Sequence, residues 1–569
     1  MARGIGSKTA PSEPAELDLR LERLDAGAPH WAATEAPERA RLLGEIARRF
    51  HELSSRMVEL DCGAKGLSRR NVRAGEPALE GPAIILRYAV ELARTLSGEQ
   101  AVPASAVRES GPRTVVDVLP MNGYDRVFFL GYRAEAWLTG SVAPQAAVLH
   151  PTELVRHGGE VALVLGAGNV ASIGVLDVLE QLFVRGRACL FKLSPVNDYL
   201  GPLLELAFAP LVARGCMAFA YGGPDVGRYL TTHPAVDALH VTGSSETHDA
   251  IVWGSDPTER RARKARGEPS FQKPVTSELG NVSPAVIVPG KWTERELEHA
   301  AQSIVGSFTF NAGFNCNATK LVVTPRGSRL RAELIERITR ILSEVPARRA
   351  YYPGARAKYD LFTTNGGLVS EFSSGRPLDT QTGESPWAFV TELMPERRPV
   401  CLEQEPFCAV LSEVSVEGDD PLEFLANATH FLNEKVWGTL NAMFLVPSAV
   451  ERDPTLAAAL DAAIGELRYG AVTVNVWPAV TYGLGTLPWG GHPSGTLADV
   501  QSGLGWGHNA LLLQHVEKTV LRAPLAPPIK PFWYPDHRTL DRLAARIVHF
   551  QAAPGLGRLL PLVTAALAG

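Results

Sequence analysis

Short apolar runs alternate with helix-like segments through the middle of the chain, and this alternation constrains the fold more than any other feature. The runs with the length of buried strands lie at 161–165, 188–193, 217–221 and 238–242. Apolar residues recur at helical spacing between them, over 173–183, 200–213 and 226–232. The second half repeats the pattern, with strands at 285–288 and 320–324 and helices at 294–308 and 329–343. Strands that alternate with helices predict an α/β protein with parallel, doubly wound sheets.

The region before this alternation is less regular. Residues 1–20 are polar and rich in Pro and Ala, and we expect them to be disordered. Apolar residues then recur at helical spacing from Leu43 to Leu60, which predicts one or two amphipathic helices. The aromatic-rich stretch 104–158 alternates apolar and polar residues, which favours extended strands or a hairpin.

Composition and charge exclude several function classes. The chain has 569 residues, too many for one hydrophobic core, so at least two domains are expected. A net charge of −5 provides no general attraction for nucleic acid. Six cysteines without a CxxC pair or a nearby histidine cluster predict no metal site and a reducing compartment. Because no secretion signal or bilayer-length apolar run is present, we expect a soluble, cytoplasmic protein without membrane contact.

A glycine-rich loop follows the first strand of the alternation. Gly166, Gly168 and Ala171 fit the dinucleotide fingerprint G-x-G-x-x-G/A, which would place a pyrophosphate at the start of the next helix. The fingerprint also requires an acid at the end of the second strand to hold the ribose. That strand ends instead in Lys192-Leu193-Ser194-Pro195, so the loop alone is a weak signal.

A thiol and a carboxylate are the candidate catalytic groups. Cys316 follows Glu278 by 38 positions, and the two form a nucleophile–base pair if the fold brings them together. Glu278 could accept the thiol proton and later activate water for hydrolysis of a thioester. The alternatives are that Cys316 is a small buried apolar residue and that Glu278 is a helix cap or a surface side chain.

In this chain order, Asn169, Lys192, Glu278 and Cys316 resemble the aldehyde dehydrogenase superfamily. The resemblance implies an aldehyde-dehydrogenase-like fold, with a Rossmann-type nucleotide-binding domain, an α/β catalytic domain and oligomerisation strands. It also implies that the Asn169 amide helps to hold the substrate oxyanion. Lys192 would then reach the adenosine ribose of NAD or NADP, unless it is a surface lysine at a strand end.

Further motifs extend the resemblance from roughly residue 30 to 520. The turn Thr242-Gly243-Ser244 implies that Gly243 and Ser244 bind the pyrophosphate. In 405–410, Glu405 would bind the nicotinamide ribose and Phe407 would pack near the nicotinamide. Phe407 could also be an ordinary core aromatic residue, and Cys408 and Ala409 replace the Gly and Pro that the family has there. Asn475, the 487–491 segment and Ser494-Gly495 match structural landmarks of the family without a chemical role.

The resemblance also implies a domain organisation. We expect the disordered 1–20, an NAD(P)-binding domain over 21–278 with an oligomerisation hairpin within about 115–158, and a catalytic domain over 279–492. Residues 493–569 would return to the cofactor domain, supply an oligomerisation strand near 511–520 and end in a helical extension. A homodimer or homotetramer is the expected assembly.

Three features depart from the family pattern. The link before Glu278 is longer than usual and carries a basic run at 259–266, which is either a solvated face or a site for a 2′-phosphate, CoA or an acidic carrier protein. Phe314 replaces the polar residue common two positions before the nucleophile, and with Trp477 it suggests an apolar pocket. The C-terminal extension carries Leu540, Leu543, Ile547 and Phe550, which predict an amphipathic helix that packs on its own or a partner subunit.

The expected reaction is oxidation of a small-molecule aldehyde to its acid with NAD or NADP, through a Cys316 thiohemiacetal and thioester. Pro195 stands where NAD-preferring members usually have a Glu that would repel a 2′-phosphate, so NADP becomes acceptable. An acyl-CoA or acyl-carrier reductase that uses NADPH is the second hypothesis, although a hydrolytic Glu278 would discharge its acyl-enzyme to water. A catalytically silent relative is the third, and it is expected to lack Cys316 or Glu278.

Overall fold

The computed structural model describes residues 9–154, 158–364, 366–379 and 381–569. Its N-terminal region is helical, with α-helices at Pro14–Ala32, Ala36–Ala64, Gly75–Ala78 and Ile84–Leu96. The expected disorder of residues 1–20 is therefore wrong from residue 14 onward, and residues 1–8 lie outside the described residues. Leu17, Leu21 and Leu24 form a short buried stripe that the polar composition of this segment conceals.

A six-stranded sheet forms the nucleotide-binding half. In spatial order its strands are Gly503–Leu504, Val275–Leu279, Ala238–Gly243, Val161–Leu165, Ala188–Lys192 and Met217–Ala220. All neighbours are parallel except Gly503–Leu504, which pairs antiparallel with Val275–Leu279. The α-helices that follow these strands are Ile173–Leu179, Gly201–Ala207, Ala209–Val212, Pro224–Thr232, Ser245–Trp253 and Pro257–Arg266. The alternation read from the sequence is confirmed.

An eleven-stranded sheet forms the other half. In spatial order its strands are Val107–Ser110, Arg113–Leu119, Arg133–Leu138, Val516–Arg522, Ala471–Val474, Asn441–Leu445, Pro284–Ile287, Leu321–Pro325, Val410–Val416, Trp387–Leu393 and Leu368–Phe372. The strands from Val516–Arg522 to Trp387–Leu393 are parallel to their neighbours, and antiparallel strands extend the sheet at both ends. A separate two-stranded pair joins Arg348–Arg349 to Glu384–Ser385. The second-half strands predicted at 285–288 and 320–324 are confirmed within one residue.

The remaining α-helices belong mostly to this second half. They are Gly123–Phe128, Glu294–Thr309, Arg329–Glu344, Ala355–Thr364, Val400–Glu403, Pro421–Lys435, Ser448–Arg452, Pro454–Glu466, Ala479–Leu484, Leu540–Ala552 and Leu556–Leu567. The stretch predicted to be extended contains three strands, but the helix Gly123–Phe128 interrupts them. The Asn122 side chain starts that helix by accepting hydrogen bonds from two backbone N–H groups.

The C-terminal extension packs on the rest of its own chain. The predicted amphipathic helix is present as Leu540–Ala552, and the backbone of Leu540 comes so close to Gly75 that a Cβ there would lie 2.5 Å from its oxygen. The Phe550 ring lies 4.8 Å from Phe128 and 5.4 Å from Tyr124. Among the described residues, none of the helices is both long and apolar enough to cross a bilayer. The assembly state and the domain boundaries stay predictions.

Candidate active site

The two candidate catalytic groups meet where the two halves of the molecule face each other. Glu278 lies near the end of the strand Val275–Leu279, and Cys316 lies in the loop before the strand Leu321–Pro325. The Cys316 thiol donates a hydrogen bond to Oε1 of Glu278, with a distance of 3.4 Å between Sγ and Oε1. The sequence separation of 38 positions therefore ends in direct contact, as a nucleophile–base pair requires.

The loop before Cys316 holds an uncommon backbone conformation. Asn311, Ala312 and Gly313 have φ values of 51°, 56° and 81°, and two non-glycine residues in succession rarely adopt the left-handed region. The Asn311 side chain compensates by donating to the carbonyl of Phe314 and to Oδ1 of Asn315. These hydrogen bonds hold the loop in the conformation that positions Cys316.

The backbone of Cys316 itself is also anchored. Its carbonyl oxygen accepts a 2.7 Å hydrogen bond from the Ser283 hydroxyl and a 3.3 Å hydrogen bond from Nδ2 of Asn441. The preceding Asn315 side chain donates to Oε1 of Glu80 at 2.8 Å. These bonds orient the thiol without using its sulfur, which stays directed at Glu278.

The surroundings of Cys316 and Glu278 favour the neutral thiol and the neutral carboxyl group. Burial raises the pKa of the Cys316 thiol well above its ordinary value, and the carboxylates of Glu278 and Glu405 raise it further. Burial also raises the pKa of Glu278, while the nearby His508 opposes this effect. A thiol with a raised pKa needs a base to form its thiolate, and a carboxyl with a raised pKa is a stronger base than an exposed one.

Asn169 lies at the same cavity as Cys316 and Glu278. It is buried, and its Nδ2 donates to the Phe314 carbonyl at 2.9 Å. An amide nitrogen carries two hydrogens, so this bond leaves one for a substrate oxygen. The backbone carbonyl of Asn169 accepts from the side chains of Asn311 and Tyr351, which fixes the loop that carries the amide.

The glycines of the loop after the first strand allow it to pack closely against neighbouring residues. A Cβ at Gly168 would lie 2.5 Å from the Ser194 hydroxyl oxygen and 2.6 Å from Cβ of Val196. The Asn197 side chain also donates to the carbonyl of Ala167 at 3.1 Å. The loop after the first strand thus packs tightly on the loop after the second strand, and its glycines permit this approach.

Three predicted cofactor residues lie at one edge of the six-stranded sheet. Lys192 ends the strand Ala188–Lys192, and burial lowers the pKa of its ammonium to about 8, although Asp198 opposes the effect. Gly243 ends the parallel strand Ala238–Gly243, which the strand Val161–Leu165 separates from that of Lys192, and a Cβ at Gly243 would meet no atom within 4 Å. Ser244 caps the helix Ser245–Trp253, and its hydroxyl accepts from the N–H of Thr247 at 3.2 Å. In open parallel sheets, nucleotides usually bind at the edge formed by the carboxyl ends of the strands.

Glu405 lies near the helix that Ser244 caps, since, besides burial, Glu246 of that helix raises the pKa of Glu405. Its carboxyl is buried beside Gly280, and burial raises its pKa to about 7 against the opposing effect of Lys358. Within the described parts of the chain, Oε1 of Glu405 has no hydrogen-bond partner. A buried polar atom without a partner is costly, so this oxygen fits a ligand hydroxyl such as that of a ribose.

Phe407 belongs to an aromatic cluster with Phe314 and Tyr352. Its φ is 43°, and its ring lies 4.9 Å from Tyr352 and 5.8 Å from Phe314. Phe314 therefore packs among these rings and not in the wall of the cavity at Cys316, so its assignment to an apolar substrate pocket is wrong. Trp477, the other residue assigned to that pocket, does line the cavity.

A buried polar group that no sequence motif indicates lies next to Glu278. Oδ1 of Asp177 lies 3.1 Å from Nε2 of His508 and 3.3 Å from Nε2 of His240. Although burial opposes it, Asp177 raises the pKa of His240, and Glu278 adds to this effect. These residues are far apart in the chain and belong to no motif, so the sequence carries no signal for them. In the parts of the chain that the structure describes, no three His, Cys, Asp or Glu residues form a metal-binding group.

The basic run lies on the exposed helix Pro257–Arg266, which buries none of its residues. Three of its cations pair with nearby carboxylates: Arg263 with Glu259, Lys264 with Asp249, and Arg266 with Glu268. This arrangement favours the interpretation that the basic run is a solvated face and not a binding site for an anionic ligand.

Comparison with known proteins gives a consistent result. A model described as the aldehyde dehydrogenase family matches residues 186–363. An N-succinylglutamate 5-semialdehyde dehydrogenase of Sphingopyxis alaskensis is 29% identical over 292 residues, which are 49% of this chain and 56% of that protein. A betaine aldehyde dehydrogenase of Rhizobium etli is 26% identical over 298 residues, which are 52% of this chain and 56% of the relative. The chain thus spans little more than half the length of the curated relatives it matches.

Solved structures share the fold over most of the chain. A Mycobacterium tuberculosis aldehyde dehydrogenase in complex with NAD+ superposes with a TM-score of 0.60 at 17% identity and covers 91% of this chain and 92% of its own. An NADP-dependent glyceraldehyde-3-phosphate dehydrogenase of Bacillus halodurans, in complex with NADP, has a TM-score of 0.59 at 17% identity. That match covers 90% of this chain and 92% of the other. At these identities the likeness shows the fold alone.

Proposed function

Because the chain belongs to the aldehyde dehydrogenase superfamily, we propose that it oxidises an aldehyde to the carboxylic acid with NAD+ or NADP+. The observation that carries the proposal is the thiol of Cys316 hydrogen-bonded to Glu278 at 3.4 Å, in a cavity that Asn169 also lines. The net reaction consumes aldehyde, water and oxidised cofactor and yields acid, reduced cofactor and a proton.

The first chemical step is formation of a carbon–sulfur bond. Glu278 accepts the thiol proton, and the Cys316 sulfur attacks the carbonyl carbon to give a thiohemiacetal. The free N–H of the Asn169 amide and the backbone N–H of Cys316 stabilise the negative charge that develops on the carbonyl oxygen. The bound cofactor supplies the hydride acceptor, and loss of hydride leaves a thioester on Cys316.

The second step releases the acid. Glu278 first releases the thiol proton to solvent. It then takes a proton from water, the water oxygen attacks the thioester carbon, and the carbon–sulfur bond breaks; the released Cys316 thiolate regains a proton from Glu278. The raised pKa of Glu278 suits both proton transfers, because a base is most effective when its pKa lies near the working pH.

The residues around the cleft fit a nicotinamide dinucleotide. The unpartnered oxygen of Glu405 would hold a ribose hydroxyl, and Lys192 would reach the other ribose. Gly243 and Ser244 would present backbone N–H groups to the pyrophosphate at a helix N-terminus. Phe407 would border the nicotinamide, from which water must be excluded.

An acyl-CoA or acyl-carrier reductase is not favoured. The named relatives are aldehyde dehydrogenases, and Glu278 is in contact with the nucleophile, where it would hydrolyse an acyl-enzyme.

The test is an assay of purified protein with a panel of aldehydes, NAD+ or NADP+, with and without CoA. Reduced nicotinamide absorbance measures turnover, and mass spectrometry identifies the product. We expect free acid whether or not CoA is present. Formation of acyl-CoA, or no reduced cofactor with any aldehyde, would overturn the proposal.

A further inference from the structure

A single cavity of about 490 Å³ joins the catalytic thiol to the C-terminal extension. Cys316, Glu278 and Asn169 line one end of it. The volume lies in the range of sites that enclose most of a small organic ligand, and it exceeds what the reacting carbonyl group needs. The rest of the cavity therefore belongs to the remainder of the aldehyde.

The walls away from Cys316 are apolar. The two C-terminal helices contribute aliphatic side chains, namely Leu543, Ile547, Leu562, Val563 and Ala566. Nearer to Cys316 the wall is aromatic, with Phe310 and Trp477 packed at a ring distance of 5.1 Å. Residues 527–533 of the extension also line the cavity, and the Phe532 ring lies 6.0 Å from Phe310 and packs against the cluster of Leu543 and Leu562.

The charged residues of the wall, apart from Glu278, already have partners. The Arg87 guanidinium lies 3.1 Å from Oδ1 of Asp125, and the Lys530 ammonium lies 3.0 Å from Oδ2 of Asp536. Glu80 accepts from Asn315 and faces Lys65. A phosphate or carboxylate group on the substrate would lose its hydration here without gaining a counter-charge.

The cavity opens to solvent at its outer end. Three of its lining residues are large, apolar and exposed: Val127, Leu130 and Ile529, with exposed fractions of 48%, 67% and 36%. A chain too long for the cavity can therefore extend past these residues, so the site sets no sharp upper limit on length.

We propose that the C-terminal extension forms a tunnel for the hydrocarbon chain of the substrate, so that the enzyme acts on long-chain, uncharged aliphatic aldehydes. This inference rests on the proposed function for the chemistry at Cys316, and it adds the substrate class. Each methylene that enters the tunnel is removed from water, which favours binding by a factor of about four.

The first test compares propanal, hexanal, decanal and hexadecanal at saturating cofactor. We expect kcat/KM to rise about fourfold per methylene while the chain still enters the tunnel and to level off once it reaches the exposed opening. Betaine aldehyde, with its quaternary ammonium group, is the charged competitor. A flat series, or a preference for betaine aldehyde over decanal, would overturn the inference.

The second test fills the tunnel from the extension. Ile547→Trp and Val563→Trp each place a large ring in the aliphatic part of the cavity, one from each C-terminal helix. Hexadecanal oxidation should fall by tenfold or more while propanal oxidation stays within about twofold of the wild type. Ala545→Trp is the matched control, because this alanine is exposed on the same helix and does not line the cavity. Hexadecanal activity that survives in both tunnel variants contradicts the inference.

Binding without chemistry separates the two proposals. The fluorescence of N-phenyl-1-naphthylamine, an uncharged apolar probe, should increase on addition of the full-length protein without cofactor, and decanal should displace it. If the probe binds in the wild type and in Ala545→Trp but not in the tunnel variants, the tunnel proposal stands even when no aldehyde is oxidised, and the proposed function alone fails. If propanal is oxidised but the probe does not bind, the tunnel proposal fails and the oxidation stands.

Discussion

The side of Cys316 proposed to bind the cofactor and the side proposed to bind the aldehyde differ in how they are built. On the proposed cofactor side, Lys192 and Gly243 lie at the carboxyl ends of parallel strands of one sheet. On the aldehyde side, the wall is mostly apolar and comes from segments as distant in sequence as residues 79–87 and 562–566. Glu278 and Cys316 lie between the two sides.

The two sides should therefore differ in how sensitive they are to the substitution of a single residue. A polar ligand needs particular donors and acceptors at fixed places, so a single substitution there removes a specific interaction. A hydrocarbon chain needs only volume and apolar surface, so many residue types suffice and the loss of one is felt weakly. Substitutions should therefore have their largest effects at the centre, smaller effects on the polar side, and graded effects in the tunnel.

Replacement of the nucleophile should have the largest effect. Cys316→Ser should lower turnover roughly ten-thousandfold or more, because a serine hydroxyl is far harder to ionise than a thiol. Cofactor affinity, measured by calorimetry, should stay unchanged. Cys408→Ser is the control, since this buried cysteine lies outside the cavity.

Chemical labelling gives an independent check on the nucleophile. Iodoacetamide should modify Cys316 before the other five thiols, because it is the partly exposed cysteine while the rest are buried. Earlier labelling of Cys401 or Cys408 would show that the nucleophile is misassigned.

The base should come next. Glu278→Gln should lower the steady-state rate about 10²–10⁴-fold. Because Glu278 serves both steps, the burst of reduced cofactor should also be slower, and the burst should recover at high pH, where the thiol ionises without a base. Since burial raises the pKa of Glu278, wild-type hydrolysis should slow as the pH falls through a value above that of an exposed carboxyl. Stopped-flow absorbance across pH measures both effects. An unchanged steady-state rate in the variant would remove Glu278 from the mechanism.

On the polar side, Glu405→Gln should raise the cofactor KM about tenfold and leave the aldehyde KM alone, because the amide keeps one acceptor but loses the charge. The pKa of Glu405 is raised to about 7. A ribose hydroxyl binds the ionised form better, so wild-type cofactor affinity should increase as the pH rises through about 7, and the variant should lose this dependence. Glu403→Gln, at a residue paired with Arg398 on the surface, is the control. Equal effects of both substitutions would contradict the assignment.

The sequence predicted the polar, strand-based part of the molecule better than the apolar wall of the cavity. The alternation from 161 to 242 predicted four strands of the six-stranded sheet, because a buried parallel strand must be apolar on both faces. It did not predict Val275–Leu279, which carries Glu278, or the short edge strand Gly503–Leu504. The pair Glu278 and Cys316 was also predictable, since its chemistry requires those residue types. The wall of the cavity was predictable only in part: Phe314 was expected in an apolar pocket but packs elsewhere, because aromatic character does not tell which side of a loop a ring faces. Contacts such as Asp177 with His508, 331 positions apart, depend on tertiary packing that no motif encodes.

The smallest effect is expected for the choice between NAD+ and NADP+. Pro195 is exposed in the loop after Lys192, so we expect NADP+ to be used at least comparably to NAD+. Pro195→Glu should shift the kcat/KM ratio towards NAD+ by roughly three- to tenfold, since a surface charge pair is worth about 1 kcal/mol. Pro195→Gln separates this charge effect from any change in loop shape, and Arg260→Ala with Arg263→Ala tests whether the basic helix binds the phosphate instead. A wild-type enzyme that uses NAD+ alone would show that another group, such as the nearby Asp198, already rejects the 2′-phosphate.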